Sequence, residues 1–208
     1  MQGFCPLSAV PMRREPSDRS EMVNQLLEGD TFQILRQEEK WSLIQCDYDG
    51  YEGWVDNKQW QPIPEGVILS VNIKSTGATS PSEVALNQYL HTPYLWGGRS
   101  RAGIDCSGLT QVCFKACGIR LLRDASQQAT QGHTVDFEEA QKDDLAFFSN
   151  PEGKIIHVGI ILDAQEISPL IIHSSGEVRI DTLDQQGILN LDTNQYTHHL
   201  HSIRRMIG

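Results

Sequence analysis

The chain has 208 residues, room for one large or two small domains, and at 39% hydrophobic and 21% charged it can fill ordinary cores. Its net charge of −10, from 27 acidic against 17 basic residues, argues against nucleic acid and against anionic membranes or wall polymers as partners; a small peptide carrying an amine is compatible. Five scattered cysteines form no disulfide framework, so reduced thiols are expected, and no apolar run reaches transmembrane length.

The opening residues lack a basic segment followed by a long apolar one. As it stands the chain therefore reads as cytoplasmic, or as periplasmic or secreted if a signal has been removed. Short strands are expected at Ala9–Met12, Val23–Leu27, Thr31–Leu35, Trp41–Cys46 and Tyr51–Val55, with turns at Glu28-Gly29-Asp30 and Asp47–Gly50 between them. Strands this short and this often interrupted suggest a small β-barrel. Arg13-x-x-Pro16-Ser17, Gln25-Leu26-Leu27-x-Gly29-Asp30, Trp41 and Gly50-Tyr51-x-Gly53-Trp54-Val55, in that order, resemble a bacterial SH3 (SH3b) domain across nearly all of the first 60 residues.

Residues 66–80 read as a linker, with an apolar run at Val67–Val71 that could add a strand. A helix is expected from Pro81, with Ser80 at its N-cap and its end before Pro93. Thr92 to Gly118 is the most informative stretch. A glycine-rich loop runs into Asp105-Cys106-Ser107-Gly108. Leu109, Val112, Cys113 and Ala116 then follow at helical spacing, and Gly118 supplies a stop. Cys106 thus stands at a helix start, where unpaired N–H groups and the helix dipole favour a thiolate. A buried structural cysteine fits this stretch as well, so a nucleophile needs a base from elsewhere.

Lys154–Leu162 and Pro169–Ser174 are continuous apolar strands, each carrying one histidine. If Leu162 pairs with Ser168 around a five-residue loop, 163–167, Ile160 faces Leu170 and His157 faces His173. Both imidazoles then share a face, with Cβ atoms about 5 Å apart, and a one-residue slip would separate them. One imidazole would take the thiol proton and the other would orient it. Cys113 and Cys117 with His198, His199 and His201 match no familiar zinc spacing, and these late histidines read as solvated or strand-edge residues.

Pro93-Tyr94-x-Trp96-Gly97-Gly98, Asp105–Leu109, Asp144–Phe148, His157-Val158-Gly159-Ile160 and Ile172–Ser175 together resemble the NlpC/P60 cysteine peptidases. The resemblance implies an α+β chain. An SH3-like barrel (1–65) and linker (66–80) precede a circularly permuted papain-like domain (81–208), in which helices pack on an antiparallel sheet. It implies Cys106 as nucleophile, His157 as base and His173 as the orienting residue. Tyr94, Asp105, Ser107 and Ser126 would line the substrate site, and neither a cofactor nor a metal is implied. An SH3b domain ahead of the catalytic one resembles the YkfC-type subgroup. That implies hydrolysis between D-γ-glutamate and L-Lys or meso-diaminopimelate in free murein stem peptides beginning with L-Ala. Glu21 and Tyr51, with Glu15 as a rival, would hold the peptide amine. A general wall endopeptidase, a wall-binding module and an acyltransferase stay open.

Overall fold

A computed structural model of the chain describes residues 1–64, 80–163 and 169–206. The expected strand over Val67–Val71, nearly all of the expected linker, and Ser168 with most of its loop lie outside these residues.

Seven antiparallel strands form the first sheet: β1 (Gln2–Phe4), β2 (Ala9–Arg13), β3 (Met22–Leu27), β4 (Thr31–Gln37), β5 (Trp41–Cys46), β6 (Glu52–Asp56) and β7 (Gln61–Pro62). Their order is β3-β2-β6-β5-β4-β1-β7. Period-two alternation makes these strands. In β5, Ser42, Ile44 and Cys46 are buried while Trp41, Leu43 and Gln45 are only half-buried. The inward residues meet in a core of Val10, Met12, Leu26, Phe32, Ile44, Val55 and Trp60. All five expected strands form; β1 and β7, at three and two residues, are too short to show a pattern.

After the undescribed segment come α1 (Pro81–Tyr89), the two-strand ladder β8 (Arg99–Ser100) and β9 (Gly103–Ile104), α2 (Cys106–Ala116) and α3 (Ala125–Gln128). Ser80 holds the N-cap position of α1, but its hydroxyl does not cap. It lies 3.1 Å from the Ser82 hydroxyl, and Asp143 accepts the Ser82 N–H instead, at 2.7 Å. Gly118, with φ +83°, follows the end of α2 as expected.

The second sheet comprises β10 (His133–Val135), β11 (Leu145–Ser149), β12 (Ile155–Asp163), β13 (Leu170–Ser175), β14 (Glu177–Leu183), β15 (Gly187–Asn190) and β16 (Gln195–Arg205). Its order is β10-β16-β11-β12-β13-β14-β15, and β15 pairs back onto β16. The sheet is antiparallel throughout, as expected, and six of its strands close on themselves. The cause is the length of β16: its first half pairs with β15 and its second half with β11. Leu145, Phe147, Val158, Ile160 and Ile172 point outward under Val84, Leu109, Cys113 and Phe114 of the helices. Ala146, Phe148, Ile161, Ile171 and Ile188 share the opposite, inward face.

The first sheet meets the β8–β9 ladder and α2 through polar groups. Arg99 is 2% exposed, and its NH1 donates to the Gln25 carbonyl at 2.8 Å and to Asp30 at 3.0 Å. Lys115 reaches the other Asp30 oxygen at 2.9 Å, and Gln111 donates to Asp49 at 2.8 Å. Burial would raise the Asp30 carboxyl, yet Arg99 and Lys115 hold it below the usual carboxylate range.

Candidate active site

Cys106 is the first residue of α2 and is 8% exposed. Asp105 caps the helix in an extended conformation, accepting the Gly108 N–H at 2.6 Å and the Gly97 N–H at 2.8 Å. The same carboxylate is forked by the fully buried Arg123, at 2.6 and 3.0 Å. Asp105 is thus committed to holding the loop and the helix start together. A side chain at position 108 would run into the Gly98 carbonyl, which explains the glycine after Ser107.

The expected thiolate at rest is not what this environment favours. Burial, then the neighbouring Asp105 carboxylate, push the Cys106 thiol up to about 12. The N–H groups of Val158 and Ser107 and the Arg123 charge oppose this without outweighing it. The sequence shows the helix start but not the closed walls that remove water. One of these contacts also locates the thiol: the Cys106 sulfur lies against the backbone N–H of the residue after His157.

The two histidines come together in a different register from the one expected. Gly159 faces His173 and Ile160 faces Ile172, while Leu170 pairs with Asp163 beyond a bulge. The expected pairing is displaced by two residues, and an even displacement keeps both imidazoles on one face. His157 Nε2 lies 2.8 Å from His173 Nδ1. A Cβ at Gly159 would stand 3.0 Å from the His173 Cβ and 2.7 Å from Ile171 Cδ1, so the glycine makes room for this diagonal approach. Burial, with His198 and His173 nearby, lowers the His157 pKa well below the ordinary imidazole value. Both shifts favour the neutral form, of the thiol and of the imidazole.

Two further residues complete this cluster, and the sequence reading missed both. Asp181, fully buried, lies 3.0 Å from His173 Nε2 and is forked by Arg179 at 2.8 and 2.9 Å. Burial would raise its carboxyl, but the hydrogen bonds from His173, Arg179 and Leu191 hold it at about 2. His198 is neither solvated nor on a strand edge. It sits in β16 between β11 and β15, and its ring stacks on His157 with centroids 4.0 Å apart. Burial lowers its pKa to about 4. Val178-Arg-Ile-Asp181 alternates like a half-exposed strand, and His198-His-Leu-His201 reads as a polar tract. Only closure of the second sheet turns Asp181 and His198 inward.

Cys106 and Ser107 open onto a cleft of about 410 Å³ whose far wall belongs to the first sheet. Glu21 and Tyr51 line it from that side, and Asp124 and Ser126 from the start of α3. Glu21 is engaged by Arg14 at 2.8 Å and by Trp96 Nε1 at 2.7 Å. Tyr51 hydrogen-bonds Asp124, whose carboxyl is raised by burial. Glu15 is exposed and is not among the lining residues. Tyr94 is not among them either. It stands close enough to Cys106 for a thiolate there to disfavour its own ionisation, which burial first raises to about 12. Lys154 and Ile156, unremarked in the sequence, line the cleft just ahead of His157. Among the described residues, no group of three or more His, Cys, Asp or Glu is arranged to hold a metal ion.

Residues 91–205 match the NlpC/P60 family, and residues 12–59 match the bacterial dipeptidyl-peptidase Sh3 domain. The chain is 38% identical over 119 residues to a gamma-D-glutamyl-L-lysine dipeptidyl-peptidase of Bacillus subtilis (strain 168), covering 56% of this chain and 37% of that protein. It is 36% identical over 104 residues to dipeptidyl-peptidase 6 of Lysinibacillus sphaericus, covering 47% and 34%. The chain thus matches little more than a third of the length of these curated relatives. Among solved structures it resembles an NlpC/P60 endopeptidase from Photobacterium damselae subsp. piscicida, with TM-score 0.66 and 16% identity over 97% of this chain and 70% of that one. An NlpC/P60 family protein from Bacillus cereus ATCC 10987 gives TM-score 0.51 and 22% identity over 100% and 63%. At these identities the structural likeness speaks for the fold alone.

Proposed function

The chain belongs to the NlpC/P60 family, and on that footing we propose that it is a cysteine peptidase acting on free peptidoglycan stem peptides. It would cleave between γ-D-glutamate and the diamino acid that follows, L-Lys or meso-diaminopimelate, in peptides that begin with L-Ala. The observation that carries this reading is that the cleft beside Cys106 is walled by the first sheet, with Glu21, Tyr51 and Asp124 along it. A space of about 410 Å³ suits a short peptide end. Asp124 is desolvated there, and a substrate ammonium would relieve that cost. The names of the relatives support the γ-glutamyl bond as target.

In the proposed reaction the Cys106 thiol gives its proton to the free Nδ1 of His157 as the sulfur attacks the γ-carbonyl carbon of D-Glu. The oxyanion is held by the Cys106 N–H, an unpaired donor at the helix start, with Tyr94 beside it. His157 then passes the proton to the leaving amine, which departs with the diamino acid and leaves a thioester. Water, deprotonated by His157, releases L-Ala-γ-D-Glu and restores the thiol. Ser107 and Asp105 keep the helix start in place, and Ser126 lines the cleft floor.

Mass spectrometry of products from a stem tripeptide and from its N-acylated form tests this. Cleavage of the free peptide alone is the expected result. Equal cleavage of both would replace the reading with a general wall endopeptidase.

A further inference from the structure

We infer that Asp181 is a positioning residue that sets, through His173, which nitrogen of His157 is left bare. The inference rests on the proposed peptidase reading only for the use made of that nitrogen.

The argument is a chain of donors and acceptors. An ionised carboxylate offers lone pairs and no proton. Four groups approach Asp181: His173 Nε2 at 3.0 Å and Arg179 Nε at 2.8 Å on Oδ2, Arg179 NH2 at 2.9 Å and the Leu191 N–H at 2.9 Å on Oδ1. Every one of them must donate. A neutral His173 must therefore carry its proton on Nε2 and present a lone pair at Nδ1. That lone pair faces His157 Nε2 at 2.8 Å, so His157 must donate from Nε2. A neutral imidazole has one proton, and Nδ1 of His157 is left as an acceptor. A base for the Cys106 thiol needs that acceptor. On taking the proton at Nδ1, His157 still donates from Nε2, and the buried anion two residues away in the chain of contacts offsets the new positive charge. Arg179 also holds Asp192 at 2.8 Å, which pins the fork from outside.

A purely structural role is the alternative: the Arg179–Asp181 pair staples β14 to the segment after β15 through the Leu191 N–H. The two roles part on Asp181→Asn. The new amide must turn its NH2 toward one pair of donors. Of the four donors only His173 can reverse its tautomer, so the amide is expected to face it, moving the His173 proton to Nδ1 and the His157 proton from Nε2 to Nδ1.

The test is long-range proton–nitrogen correlation NMR on the full chain with ¹⁵N-labelled histidine. In the wild-type protein His157 and His173 should both be protonated on Nε2, and in Asp181→Asn both on Nδ1. Alkylation of Cys106 by iodoacetamide, followed by mass spectrometry of its own peptide, should slow on the order of 10²–10⁴-fold in that variant, the range for a base held in the wrong tautomer. Arg179→Gln keeps the carboxylate and should keep the wild-type tautomers, whereas a staple alone would make the two variants alike. A wild-type His157 protonated on Nδ1 overturns the inference whether or not Asp181→Asn folds. Unchanged tautomers and unchanged alkylation in Asp181→Asn overturn it too. The expected tautomers without peptide cleavage would leave the inference standing and remove the peptidase reading.

Discussion

The ring of His198 lies 4.0 Å from that of His157, the two planes tilted by 22°, so a second imidazole covers one face of the proposed base. Both rings are held neutral by burial. In the unfolded chain they would titrate near the usual value of about 6.5. Below that pH the unfolded state takes up protons that the folded state refuses, so stability falls as pH drops from 6.5 to about 4 for His198, and further for His157. Above 6.5 neither ring contributes. His198→Phe keeps the stack and removes one titration, so melting temperatures between pH 6.5 and 4 should fall less steeply in the variant. Parallel slopes would show that His198 does not titrate in this range.

The same lowering sets the acid limit of activity. His157 stays unprotonated below the ordinary imidazole range, so kcat/KM should hold its neutral-pH value well below pH 6.5. A pH–rate profile already halved at 6.5 would contradict the lowering of the His157 pKa.

Cys106→Ala removes only a sulfur from a closed site and should cost turnover on the order of 10⁴-fold or more, with the melting temperature little changed. Residual hydrolysis near the native rate would sink the assignment of the nucleophile.

Arg123→Met strands the Asp105 carboxylate in a buried place and removes the 2.7 Å bond to Asn24 of the first sheet. Loss of one partner of such a pair costs about 3–5 kcal/mol. Urea unfolding should show a loss of unfolding free energy of that size, and a change under 1 kcal/mol would mean that water replaces the guanidinium at no cost.

Gly159→Ala places a methyl 3.0 Å from the His173 Cβ and should push the two rings apart. A displaced base is expected to lower kcat on the order of 10–100-fold with KM nearly unchanged. Unaltered kcat would show that Ile171 yields instead. Glu21→Gln should do the reverse, raising KM for the free tripeptide about 10-fold, the scale of a lost charged hydrogen bond, while leaving the N-acylated peptide unaffected.

The site was legible in the sequence wherever local periodicity carries the information. Cys106 follows from a loop that ends in a capped apolar helix, and His157 and His173 from two adjacent strands. The error in their register was harmless because it was even. What stayed hidden depends on closure. Asp181 and Arg179 alternate with Val178 and Ile180 just as a solvated strand face would. His198 is placed by the return of β16 to β15, a pairing that no local pattern announces. The thiol was misread for the same reason. The helix start is written in the sequence, but its desolvation is supplied by walls from both sheets.

Arg99 of the β8–β9 ladder, Lys115 of α2 and Arg123 just before α3 reach across to Asp30, Gln25 and Asn24 of the small barrel, and two of these three cations are almost wholly buried. Charges hidden in a seam cannot be left behind when one side departs. The small barrel is therefore not an interchangeable accessory: cutting it away would expose a cationic scar, and grafting a barrel from elsewhere would require carboxylate and amide groups at the same three positions. Melting should accordingly proceed as one cooperative event, with calorimetric and van't Hoff enthalpies in agreement.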